Sequence, residues 1–341
     1  MRIGVLTAGG DCPGLNAVIR SVVHRAVHDR GDEVIGFEDG FKGLLEGRYR
    51  PLDINSVSGI LARGGTILGS ARLERARLRE ACNNSEELIE RLGLDALIPI
   101  GGEGTLTAAR MLAEIGLPVV GVPKTIDNDI SATDRTFGFD TAVTVATEAM
   151  DRLKTTAESH QRVMVVEVMG RHAGWIALEA GMAAGAHAIC VPERNFEVDD
   201  LVKMVEERFA RDKKFAIICV AEGAHPAEGS MPYEKGVIDQ YGHERFAGIG
   251  NRLAVELEHR LGKEARPVIL GHIQRGGTPT AYDRVLATRF GWHAVEAAHR
   301  GDFGQMTALR GTEIVMAPLA DAVAELKRVP QNRMDETEAV F

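Results

Sequence analysis

The sequence predicts an α/β protein built on mainly parallel sheets. One layout recurs six times along the chain: an apolar run, a polar glycine loop, then a helical stretch. Strands that alternate with helices pair in parallel and are covered on both faces, so their runs read as continuously apolar. Composition agrees. Among 341 residues there are 38 glycines, with 45% hydrophobic and 26% charged residues, the balance of an enzyme rich in glycine loops. A chain of this length buries a sizeable core and has room for two domains.

The elements follow in order. Residues 3–7 (IGVLT) lead into AGGDCPGLN and the helical AVIRSVVHRAVH. Residues 96–100 (ALIPI) precede GGEGT and the amphipathic LTAARMLAEIG, and residues 119–122 (VVGV) precede PKTIDND. Residues 163–168 (VMVVEV) run into MGRHAGWIALEAGMAAG, 215–220 (FAIICV) into AEGAH, and 268–270 (VIL) into GHIQRGG. Open α/β sheets bind ligands beyond the carboxyl ends of their strands, and that is where these polar loops fall. Residues 223–247 read as a polar surface excursion, and the tail after about Pro330 is expected to fray.

Several function classes are disfavoured. Aromatic residues make up only 5%, too few for stacking platforms along single-stranded nucleic acid. A net charge of −9 opposes DNA and anionic membranes, while leaving local arginine clusters free to bind phosphorylated small molecules. Cys12, Cys82, Cys190 and Cys219 lie far apart without a CxxC pair, which points to a reducing compartment. The start, MRIGVLTAGG, lacks a signal-peptide layout, and no apolar stretch approaches the ~18 residues of a membrane span. A soluble cytoplasmic protein is expected.

Three constellations carry chemistry. In VVGVPKTIDNDI (residues 119–130) a buried strand ends in Lys124, Thr125, Ile126 and the two carboxylates Asp127 and Asp129. Beside phosphate and magnesium, one carboxylate can act as general base while its neighbour helps hold the metal; the bland reading is an Asx-rich turn. The glycine loops GGDCPG (9–14) and GGEGT (101–105) join strands to helices. Glycine lets the backbone approach phosphate closely, and the helix N-terminus offers free N–H donors. Glu103 could ligate magnesium, or only favour the positive end of its helix. Neither GxGxxG nor GxxxxGK[ST] occurs, which argues against a P-loop NTPase and an ordinary nicotinamide-dependent dehydrogenase. Third come arginines at strand ends and in glycine loops: Arg72, Arg162, Arg171, Arg266 and Arg275. Their planar forks suit phosphate, whereas Arg75, Arg77 and Arg79 read as a solvated helix face. Glu222, His272 and Gln274 are placed to hydrogen-bond sugar hydroxyls. His24 and His28 lack the glutamate of an HExxH pair, and Cys12 reads as a small loop residue.

Taken together and in this order, AGGDCPGLN, GGTILGSAR, GGEGT, PKTIDND, SHQR, VEVMGRHAG, VAEG and GHIQRGG resemble the 6-phosphofructokinase family, from about residue 2 to 330. The resemblance implies two similar Rossmann-like lobes with the active site in the cleft between them. The donor lobe would be 1–138 plus about 275–328, and the fructose 6-phosphate lobe about 139–274 plus 329–341. It implies magnesium-dependent phosphoryl transfer from ATP to the 1-hydroxyl of fructose 6-phosphate, giving fructose 1,6-bisphosphate in glycolysis. Asp127 matches the general base, Asp129 and Glu103 the metal site, and Arg72 and Arg171 charges near the transferring phosphate. Gly10, Arg72, Gly102, Glu103, Gly104 and Thr105 match the donor site. Thr125, Ile126, Asp127, Arg162, Met169, Gly170, Arg171, Glu222, Arg266, His272, Ile273, Gln274 and Arg275 match the sugar-phosphate site. Arg162 and Arg266 sit where the family reaches across a subunit interface, implying a homodimer or homotetramer.

Departures from the family pattern qualify the donor. Glu103 stands where many bacterial ATP-using members carry aspartate. ATP-using members typically have glycine at the positions of both Gly104 and Lys124, whereas pyrophosphate-using members have aspartate and lysine, so this chain resembles a mixed group. A carboxylate at 104 would repel the α-phosphate region of a nucleotide; glycine leaves it open, which favours ATP. Pyrophosphate as donor, an NAD or lipid kinase sharing the glycine–acid–glycine loop, and a catalytically silent phosphosugar sensor are the alternatives. At the family's effector site Arg20 and Lys154 match, but Ile54 and His187 replace a basic and an acidic residue, which places allosteric control there in doubt.

Overall fold

The computed structural model describes residues 1–71, 75–233, 237–238, 244–245 and 248–340. Its strands are β1 (Arg2–Thr7), β2 (Glu33–Phe37), β3 (Tyr49–Pro51), β4 (Ala96–Gly101), β5 (Val120–Thr125), β6 (Phe137–Gly138), β7 (Val163–Val168), β8 (Ala188–Cys190), β9 (Ala216–Ala221), β10 (Val237–Ile238), β11 (Glu244–Arg245), β12 (Ala265–Ile269), β13 (Gln305–Arg310) and β14 (Glu313–Pro318). Its helices are α1 (Leu15–Val23), α2 (Phe41–Glu46), α3 (Arg75–Asn83), α4 (Ser85–Leu92), α5 (Glu103–Glu114), α6 (Phe139–His160), α7 (Trp175–Ala184), α8 (Val198–Ala210), α9 (Ile249–Leu261), α10 (Ala281–Arg300), α11 (Leu319–Ala322) and α12 (Gln331–Val340). The chain divides into two compact units, one of Met1–Thr141 with Arg275–Leu326, the other of Ala142–Gln274 with Lys327–Phe341.

The first unit is organised on a sheet in the order β14-β13-β5-β4-β1-β2-β3, with β6 beside β5. Its centre is parallel: β1 pairs with β2 and β4, and β4 with β5. Only the margins are antiparallel, in β2–β3 and β13–β14. The central strands β4 and β5 are buried along their whole length because helices cover both faces, which is why their sequences do not alternate. The N-termini of α6 and α10 are knotted together by polar groups. Thr280 caps α10 by accepting from the Asp283 N–H at 3.3 Å and donates to Asp140 at 2.7 Å. Asp283 Oδ2 in turn accepts from the Thr141 N–H at 2.8 Å and its hydroxyl at 2.6 Å. Asp283 is fully buried, and that burial raises its carboxyl to about 6.

The second unit holds a four-stranded parallel sheet in the order β12-β7-β9-β8. The C-terminal tail forms α12. Its approach is fastened by two hydrogen bonds: the Trp175 indole N–H donates to the Lys327 carbonyl at 2.8 Å, and the Val329 N–H to Glu193 at 2.8 Å. These tertiary contacts supply what the polar sequence QNRMDETEAV lacks on its own.

Candidate functional site

The loop after β1 is shaped by close approaches. Gly14 adopts φ 110°, and a Cβ there would lie 2.6 Å from the Phe137 ring, so only glycine allows the turn into α1. A second glycine stretch folds onto this loop. Thr7 donates to the Gly69 carbonyl at 2.8 Å, and Ser70 to the Gly9 carbonyl at 2.6 Å. The buried amide of Asn16 donates to the carbonyls of Arg63 and Gly64, and accepts from the Ile67 N–H at 2.8 Å. Arg72 follows this stretch but lies outside the described residues. The Arg275 guanidinium packs on Gly10, where a Cβ would meet one terminal nitrogen at 2.6 Å. From the other side the Lys124 ammonium donates to the Gly10 carbonyl. Lys124 is only 4% exposed, and this burial holds its pKa below that of a free lysine, with Arg275 adding to the effect and Asp127 and Asp129 opposing it.

The second glycine loop lies alongside because β4 and β5 are adjacent parallel strands, with Gly101 opposite Pro123. Glu103 opens α5, and its Oε1 accepts from the Thr107 hydroxyl at 2.9 Å. Thr105 is buried against Gly101. Gly104 differs from its neighbours: it is exposed, and among the described residues no atom outside its own helical turn lies within 4 Å of where a Cβ would stand.

At the end of β5 the Thr125 hydroxyl accepts from the Asp127 N–H at 3.1 Å. Asn128 then turns left-handed, at φ 51°, a conformation asparagine tolerates better than most residues. Its Oδ1 accepts from the Thr136 N–H at 3.1 Å, and the Thr136 hydroxyl donates to the Thr125 carbonyl at 2.8 Å. Asn128 and Thr136 are buried, at 3% and 1% exposure, so the corner that separates Asp127 from Asp129 is pinned from beneath. Ile126 is buried in the same corner. Sequence reasoning passed over Asn16, Asn128 and Thr136. Asparagine between two aspartates was the available signal for the second, since that triplet favours a left-handed turn.

The second unit gathers most of the sugar-phosphate candidates. Gln274 is fully buried; its amide donates to the Gly271 carbonyl at 3.1 Å and accepts from the Met169 N–H at 3.3 Å. It thereby ties the turn bearing His272 and Ile273, both exposed, to the loop of Met169, Gly170 and Arg171. The Gly223 N–H donates to the Gly170 carbonyl at 3.1 Å, and a Cβ on Gly223 would lie 2.0 Å from the Arg171 carbonyl, so glycine is required where the Glu222 loop meets this one. Arg162 and Arg266 both pair with Glu264 at the β7–β12 edge. Thr125, Ile126, Asp127 and Arg275, by contrast, belong to the first unit.

The effector-site positions are also visible. His187 Nδ1 accepts from the Ile217 N–H at 2.8 Å, and burial, with Arg208 and Lys154 nearby, lowers its pKa to about 4. The ring is neutral at neutral pH and cannot replace a carboxylate's charge. Lys154 pairs with Asp151, and Ile54 is half-buried.

The family pattern described as phosphofructokinase matches residues 2–298. The chain belongs to the phosphofructokinase family. An 82% identical relative, spanning all of both chains, is ATP-dependent 6-phosphofructokinase 2 of Streptomyces coelicolor. At 59% identity and full coverage of both chains stand an ATP-dependent 6-phosphofructokinase of Mycobacterium tuberculosis and a pyrophosphate–fructose 6-phosphate 1-phosphotransferase of Amycolatopsis methanolica. Among solved structures, Pichia pastoris phosphofructokinase in the T-state is similar at TM-score 0.81 and 34% identity, covering 95% of this chain and 35% of that one.

Proposed function

We propose that the chain is an ATP-dependent 6-phosphofructokinase, transferring the γ-phosphoryl group of ATP to the 1-hydroxyl of fructose 6-phosphate. Relatives named for either donor stand at 59% identity, so similarity at that level does not choose between them. The relatives at 82% and 72% are both named ATP-dependent. The observation that carries the donor is Gly104: exposed at the start of α5, with no described side chain against it, it leaves room for a nucleotide where a carboxylate would repel one. Lys124 donates to the Gly10 carbonyl and so supports the loop itself.

In this reading the first unit supplies the donor loops and Asp127, which takes the proton of the attacking hydroxyl. Asn128 and Thr136 fix the angle at which that carboxylate is presented. Thr125 lies on the sugar side, while Arg171 and Arg72 meet the charge of the transferring phosphate. Arg162, Met169, Gly170, Glu222, Arg266, His272, Ile273, Gln274 and Arg275 hold the sugar phosphate, Gln274 through the loops it joins. Magnesium suits Glu103 and Asp129. Among the described residues no group of three or more potential ligand side chains exists, and magnesium characteristically takes one or two carboxylates with substrate phosphates. Bound there, it would offset charge on the phosphate oxygens. A homodimer or homotetramer is expected, with Arg162 and Arg266 facing a neighbouring subunit.

The test is the initial rate of fructose 1,6-bisphosphate formation with magnesium and either ATP or pyrophosphate at matched concentration. Turnover with ATP and little with pyrophosphate is expected. The reverse preference would overturn the donor assignment, and no turnover with either would overturn the activity.

A further inference from the structure

We infer that Glu264 is a positioning residue for the sugar-phosphate site, presetting Arg162 and Arg266 as one cationic pair. The inference rests on the reading of those two arginines as ligands of the sugar phosphate.

Glu264 stands immediately before β12, where that strand begins to pair with β7. Ala265 lies opposite Val163, and the Val163 N–H donates to the Glu264 carbonyl at 3.0 Å. The same register places Arg162 just ahead of β7 and Arg266 as the second residue of β12. Between them Glu264 spends both carboxylate oxygens: Oε2 accepts from Arg162 Nε, and Oε1 pairs with a terminal nitrogen of Arg266. One acid thus holds guanidinium groups from two neighbouring strands, which would otherwise repel each other.

The way each arginine is held differs. Arg266 has a second anchor, its other terminal nitrogen donating to Glu258 at 3.0 Å. Arg162 is held through Nε alone, and among the described residues its terminal amino groups have no partner. A guanidinium fixed by its stem keeps its outer edge for a phosphate, which it meets with paired N–H donors. Side-chain exposures of 28% for Arg162, 34% for Glu264 and 48% for Arg266 mean that the pairs contribute little to folding. What they supply is order in two long side chains whose freedom the substrate would otherwise have to remove.

Steady-state kinetics on Glu264→Gln tests this, varying fructose 6-phosphate at saturating ATP and then ATP at saturating sugar. KM for fructose 6-phosphate is expected to rise roughly tenfold, the scale of one charge-assisted contact, while kcat and KM for ATP stay within about twofold. Arg162→Lys, which has no Nε to grip, should raise the same KM, and the double variant should be no worse than the weaker single one. An unchanged thermal midpoint for Glu264→Gln separates this effect from misfolding. If Arg162→Ala raises KM while Glu264→Gln leaves it unchanged or lowers it, Glu264 is idle or competes with the phosphate, and the inference is wrong. If Arg162→Ala and Arg266→Ala both leave KM unchanged, the arginines are not ligands, and the reading beneath the inference falls with it.

Discussion

Replacing Asp283 with asparagine is expected to alter how stability depends on pH. In the folded chain the buried carboxyl is raised from 3.8 to about 6. At about 1.4 kcal/mol per unit, this shift corresponds to roughly 3 kcal/mol of stability linked to one proton. The sign is opposite to that of an ordinary paired aspartate. Below about pH 4 the group is protonated in both states, and its contribution is complete. Between about pH 4 and 6 the folded state keeps a proton that the unfolded state has lost, so stability falls as pH rises. Above that range the contribution is gone. Asparagine retains an acceptor for the two Thr141 donors but buries an amide at the Oδ1 position, a cost of about 1–3 kcal/mol that does not vary with pH. The assay is urea unfolding of both proteins from pH 4.5 to 7.5, followed by tryptophan fluorescence. The advantage of the wild type over the variant should shrink by about 2 kcal/mol across that range and then level off. Parallel curves would refute the reasoning: they would mean that Asp283 is ionised throughout and that the two Thr141 hydrogen bonds outweigh its burial.

Other expectations bear on the site. Gly104→Asp should fold normally, since the new side chain enters open space, yet lose at least tenfold in kcat/KM for ATP relative to pyrophosphate; unaltered donor preference would sink the argument from that glycine. Asp127→Asn should lower kcat by about 10²–10⁴-fold while equilibrium binding of fructose 6-phosphate persists, and a smaller loss would remove Asp127 from the role of base. Thr136→Val, which deletes the hydroxyl on the Thr125 carbonyl, should lower kcat more than it raises KM for either substrate, with Thr136→Ser restoring activity. Equal activity in the valine variant would show that the corner holds without it.

The parts of the fold that were legible share one physical cause. Residues 3–7, 96–100, 163–168 and 216–220 are buried, and mainly apolar runs, polar only at Thr7 and Glu167, marked them as the strands β1, β4, β7 and β9. The hairpin β13–β14 escaped notice because only Ile314 and Ala317 of β14 are buried, and so short and broken an apolar pattern resembles many surface segments. At the candidate site, the glycine loops and the carboxylates Asp127 and Asp129 stood out because special backbone and clustered charge occur within a few residues. Glu264 was not. Its partner Arg162 is 102 residues away, and only the register of β7 against β12 brings them together. The tie from Asn128 to Thr136, across a turn of eight residues, was hidden for the same reason.

The interrupted course of the chain through its two units matters while the polypeptide is still being made. Strand β5 carries Lys124 and Thr125 and leads into the corner of Asp127, Asn128 and Asp129, and its partner β13 arrives only at Gln305, after the whole Ala142–Gln274 insertion. At 5–20 residues per second the ribosome needs on the order of ten seconds or more to bridge that interval. Throughout it, the Val120–Gly121 end of a strand buried in the finished sheet lacks its neighbour, and unpaired apolar edges are where nascent chains stick to one another. Chains that terminate before Gln305 would carry both glycine loops, residues 9–14 and 101–105, and still leave that edge unpaired, so the time it stays exposed depends on how quickly residues 126–305 are read.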